Sequence, residues 1–111
     1  MSDAPAIDLA VFRELQATAG ADFVAELVDT FLEEAPGMFA ALRAAIEGGN
    51  AEAFRRAAHS LKSNSLTFGA AALAAQARAL ELGGLGAAAD VDALAATYAR
   101  AAEALKELRH A

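Results

Sequence analysis

The sequence predicts an all-α protein: an up-down-up-down antiparallel four-helix bundle with a short extra helix at its N-terminus. Three observations predict it. Apolar residues recur at helical spacing along almost the whole chain, β-branched residues are few, and 34 of 111 residues are alanine. Glycine-containing breaks then divide the periodic stretches into segments joined by short connections, which forces neighbours to pack antiparallel. At this length the chain makes one domain, residues 1–111, with room for one core.

The elements follow in order. Asp8 is placed to cap a first helix running to about Ala17, and Ile7 and Phe12 occupy the positions of a hydrophobic staple across its start. Gly20 ends it. Phe23, Val24, Leu27, Val28, Phe31, Leu32, Met38, Phe39, Leu42 and Ile46 form one apolar stripe and predict a long second helix. Pro36 falls inside that helix and predicts a kink, since the stripe resumes beyond it in phase. Gly48 and Gly49 stop the helix and Asn50 caps the third, which runs to about Gly69. Leu73, Ala77 and Leu80 carry a fourth helix after a very short connection. Gly83, Gly84 and Gly86 make a flexible loop, and Asp90 or Asp92 caps a last helix bearing Val91, Leu94, Tyr98, Ala102, Leu105 and Leu108.

Composition excludes several function classes. No apolar run approaches the length of a membrane span, and the first six residues lack the features of a signal peptide, so a cytoplasmic location and no membrane partner are expected. Met1 reads as a natural start and favours a free-standing protein. The chain has no cysteine and two histidines far apart, His59 and His110, so neither a thiol nucleophile nor a bound metal is expected, and His110 reads as an exposed tail residue. A formal charge of -6 argues against nucleic acid. The third helix runs against that trend: Glu52 opposed by Arg55, Arg56 and Lys62 leaves it locally basic.

His59 is the residue of greatest chemical interest. On a helical wheel Phe54, Ala57, Ala58, Leu61, Ser65 and Phe68 share a core face, with the Ser65 hydroxyl free to bond a carbonyl one turn earlier. His59 faces away from them with Arg55, Arg56, Lys62, Ser63 and Leu66. A neutral imidazole has a free nitrogen lone pair that can attack phosphorus, and nearby cations favour the neutral form. Lys62 can then offset the charge of a bound phosphoryl group, while Ser63 leaves room for it. Leu66 is a candidate for apolar docking. The chain has neither a phosphate-binding glycine loop nor an acidic pair beside His59 to hold Mg²⁺, which predicts a carrier rather than a complete phosphoryl-transfer enzyme.

The run from Ala58 through His59, Leu61, Lys62 and Ser63 to Ser65, followed by Phe68, Gly69 and Ala70, resembles the signature of histidine-containing phosphotransfer (HPt) domains. The resemblance extends to the Asp8 helix, the Phe31 to Pro36 segment and the helical hairpin. It implies that His59 is the phosphoacceptor of a two-component phosphorelay, charged by an aspartyl phosphate on a response-regulator receiver domain and discharged to another. It further implies that Lys62 lies close to the phosphoryl group, that Ser63 stands where glycine is common, that Gly69 permits a tight turn, and that Glu81 can bond the imidazole nitrogen that is not phosphorylated. Receiver domains and a hybrid sensor histidine kinase are the partners implied, with Arg55, Arg56 and Leu66 meeting them. The chain is expected to be a monomer with no cofactor of its own, Mg²⁺ residing in the partner receiver. An alternative reading is a scaffold that binds receivers independently of phosphate.

Overall fold

The computed structural model describes residues 5–109, so His110 lies outside the described residues. Five helices follow one another: α1 (Leu9–Ala19), α2 (Ala21–Gly48), α3 (Ala51–Phe68), α4 (Ala71–Leu82) and α5 (Ala88–Leu108). Helices α2 to α5 form the antiparallel bundle, and α1 packs on α2 and α3. Two ion pairs mark the antiparallel run of α2 and α5, Asp29 with Arg109 at 2.7 Å and Arg43 with Asp92 at 2.9 Å. The molecule measures 42 × 34 × 19 Å, and its long dimension matches the length of about 42 Å that α2 alone would have.

Local chemistry explains where the helices begin and end. Asp8 Oδ1 accepts the Ala10 amide at 3.0 Å, and Ile7 and Phe12 are both buried, completing the staple. Helix α1 continues two residues past the expected Ala17, to the break at Gly20. Helix α2 runs unbroken through Pro36, which faces solvent. Asn50 Oδ1 accepts the Ala53 amide at 3.0 Å to open α3.

Two expectations need correcting, and the structure adds the length of α4. Phe23 is 52% exposed and leaves the stripe, because the buried seam of α2 starts one residue later, with Val24, Val28 and Phe31, and turns Phe23 outward. Helix α5 starts at Ala88, ahead of both candidate caps: Asp90 caps from inside the first turn, accepting the Ala87 amide at 2.9 Å, while Asp92 pairs with Arg43. Helix α4 has only 12 residues, so one bundle member is less than half as long as α2.

The core runs the length of the bundle and sets the rotation of α3. Phe54, Ala58, Leu61, Ser65 and Phe68 are buried, and Phe68 stacks on Phe31 with ring centroids 5.6 Å apart. Burying these large side chains holds the helix in one orientation, since any rotation would return them to water. The Ser65 hydroxyl donates to the Leu61 carbonyl at 2.6 Å, as the sequence suggested. His59, one residue past Ala58, is thereby directed away from the core.

The α3–α4 corner is fixed by Gly69. Its φ of +80° ends α3 in the left-handed region, and the Ala70 amide reaches back to the Ser65 carbonyl at 2.8 Å. The Gly69 carbonyl accepts the Asp8 amide at 2.8 Å, binding the start of α1 to the end of α3. A methyl group at Gly69 would stand 2.9 Å from Val11 Cβ and 3.0 Å from the Asp8 carbonyl oxygen. The turn foreseen at Gly69 is therefore also the seat of α1. The glycine loop before α5 is packed at one point: a Cβ at Gly86 would lie 2.8 Å from Phe54 Cζ.

Candidate functional site

The site assembles across the α3–α4 hairpin. His59 and Lys62 stand three residues apart on α3, so both side chains reach the same strip of α4, where Glu81 meets them. Glu81 Oε2 lies 2.7 Å from His59 Nδ1, and Glu81 Oε1 lies 2.8 Å from Lys62 Nζ. One carboxylate thus joins both residues. The His59 side chain is 53% exposed, against 22% for Lys62 and 10% for Glu81, so the imidazole is the part of the cluster most open to another molecule.

Charge and tautomer follow from this geometry. The Lys62 ammonium 2.8 Å away, and then the hydrogen bond from His59, hold the Glu81 carboxyl below the usual carboxylate range. An ionised carboxylate can only accept, so Nδ1 of the neutral ring carries the hydrogen and donates it to Glu81. The lone pair is left on Nε2.

The remaining predicted residues divide. Ser63 is exposed one turn beyond His59 and presents little bulk there. Leu66 is 58% exposed, as the wheel required. Arg55 is paired on its own helix while still half exposed: its Nε and a terminal nitrogen reach the Glu52 carboxylate at 3.0 and 2.6 Å. That contact lowers the Glu52 carboxyl and raises the Arg55 guanidinium from their ordinary values. Arg56 is exposed and faces the other neighbour, lining a surface groove between α3 and α2 with Glu34, Met38 and Ala57.

Sequence reasoning also missed part of the exposed apolar surface. Leu9 and Phe23 are about half exposed, and Val11, which stands against Gly69, is 37% exposed. The signal was present in α1, an 11-residue helix carrying Leu9, Val11, Phe12 and Leu15, of which only Phe12 is buried. Among the described residues, no group of three or more histidine, cysteine, aspartate or glutamate side chains is gathered to hold a metal ion, and no helix is long and apolar enough to cross a membrane.

Comparison with known proteins bears on the family and the fold. The model of the Hpt domain family matches residues 26–111. The crystal structure of histidine-containing phosphotransfer protein B (HptB) from Pseudomonas aeruginosa PAO1 is similar over 97% of each chain, with 30% identity and a TM-score of 0.88. No curated protein matches the chain. The structural likeness takes in α1, which the family match leaves out, and the two comparisons together place this chain in the Hpt domain family of histidine phosphotransfer carriers.

Proposed function

We propose that His59 Nε2 is the phosphoacceptor of a phosphorelay, charged by the aspartyl phosphate of a response-regulator receiver domain and discharged to a second receiver. The observation that carries this reading is the bond between His59 Nδ1 and Glu81, which leaves the lone pair on Nε2 of a half-exposed ring. In the transfer, the Nε2 lone pair attacks phosphorus, an N–P bond forms, and the P–O bond to the aspartate breaks, its electron pair leaving on the carboxylate. Nδ1 keeps its hydrogen on Glu81, which stabilises the positive charge that develops on the ring.

Catalysis is shared with the partner. The receiver supplies Mg²⁺ and the acidic residues that hold it, and this chain supplies the oriented nucleophile, with Ser63 leaving space beside it. Docking uses the exposed apolar residues Leu66, Leu9, Val11 and Phe23, with Arg56 at the edge. An apolar centre and a charged rim suit a contact that must release its partner after each transfer. A hybrid sensor histidine kinase is the expected source of the phosphoryl group.

Incubation with a phosphorylated receiver should move label onto the protein in an acid-labile, alkali-stable form. His59→Gln, at an exposed position, should stay folded and take up none. Equal labelling of that variant would remove His59 from the role, and receiver binding with no label transfer to the wild type would favour a scaffold.

A further inference from the structure

The last turns of α3 carry a run of short polar side chains, most of them tied to the helix itself. Asn64 Nδ2 donates to the Ser60 carbonyl at 2.9 Å, the Ser65 hydroxyl to the Leu61 carbonyl at 2.6 Å, and the Thr67 hydroxyl to the Ser63 carbonyl at 3.0 Å. Ser63 breaks the pattern: it is exposed, and among the described residues its hydroxyl has no partner. We infer that the Ser63 hydroxyl donates a hydrogen bond to a phosphoryl oxygen once that group is on His59, and so helps this chain to hold the phosphate. The inference goes beyond the room that Ser63 leaves, and it rests on the reading of His59 Nε2 as the phosphoacceptor.

Helix geometry puts the hydroxyl on the correct side of the ring. Lys62 and Ser63 follow His59 by three and four residues, which turns them about 60° to one side of it and about 40° to the other. Lys62 reaches Glu81 on α4, so Ser63 stands on the side away from α4. Nδ1 is tied to the same glutamate, and the two nitrogens of an imidazole point in divergent directions, so Nε2 and any group bonded to it point away from Glu81. A helical side chain also leans back over the turn before its own, which for Ser63 is the turn that bears His59. A hydroxyl has a hydrogen to donate, a phosphoryl oxygen can only accept, and the negative charge strengthens the bond. Two cations of the same face are already paired, Lys62 with Glu81 and Arg55 with Glu52, whereas this donor is uncommitted. A glycine at the position would leave the same space without the donor.

The test mixes the protein with a receiver carrying a labelled phosphoryl group and reads how label divides between His59 and the receiver at equilibrium. Ser63→Ala keeps the helix, since alanine is the best helix former. Ser63→Ala and Ser63→Gly should each hold about two- to tenfold less label, relative to the receiver, than wild type does. The affinity of the unphosphorylated protein for the receiver should be equal in wild type and Ser63→Ala, because the hydroxyl has nothing to bond until the phosphoryl group arrives. A wild-type division of label in Ser63→Ala would overturn the inference, as would a gain of label in Ser63→Gly, which would make the serine an obstacle. A matching loss of receiver affinity in Ser63→Ala would overturn it too, by making the hydroxyl a docking contact. Wild-type protein that takes no label on His59 would overturn the parent reading itself, a failure visible before any variant is compared.

Discussion

At the scale of single residues, the proposed chemistry turns on Glu81, a carboxylate with two partners. Its carboxyl is depressed from an ordinary value of 4.5, chiefly by Lys62 and then by His59. A depressed carboxyl stabilises the folded state above the unfolded value, and that contribution is lost as pH falls through the folded value. Stability to urea should therefore decline on acidification below about pH 4.5, and Glu81→Gln should flatten that part of the curve relative to wild type. Identical acid limbs for the two proteins would show that the paired carboxylate is not linked to folding. Glu81 could be nominated from the sequence only through the family resemblance, by its separation from His59. Its bond to Lys62 could not, because helix spacing places two residues on one strip without saying which partner each side chain takes.

At the scale of elements, the caps and the core face of α3 were legible, because N-caps and wheel positions are local properties of the chain. Asp8, Asn50, the Ile7–Phe12 staple and the buried Ser65 all stand as read. What was not legible depends on other elements. The outward turn of Phe23 is set by the phase of the α2 seam against its neighbours, and the engagement of Asp92 by an arginine 49 residues earlier in the chain. Gly69 shows both kinds of information: its role as a helix terminator follows from sequence, its contact with Val11 only from the packing of α1. Gly69→Ala should cost about 1–2 kcal/mol from the left-handed backbone alone. The approach to Val11 Cβ and the Asp8 carbonyl adds to that cost. Denaturant unfolding should show the full loss, and Val11→Ala in the same chain should recover only the small share owed to Val11 Cγ1 at 3.2 Å, since the Val11 Cβ, the Asp8 carbonyl and the backbone share remain. Stability equal to wild type would mean that the corner is not closed as described.

At the scale of the whole molecule, the proposed function makes the bundle a device for holding one imidazole at a set angle to solvent. The core faces of α3 and α4 lock the hairpin, the hairpin brings Glu81 to His59, and Glu81 determines which ring nitrogen is free. The exposed apolar residues of α1, α2 and α3 offer a surface on which another protein can be seated. That chain of dependence makes the identity of the reacting nitrogen the most direct test. Protein labelled with ¹⁵N in histidine, phosphorylated by its receiver and observed by NMR, should show the phosphorus bonded to Nε2 of His59 with Nδ1 still protonated. Phosphorus on Nδ1, or on any other residue, would contradict the account.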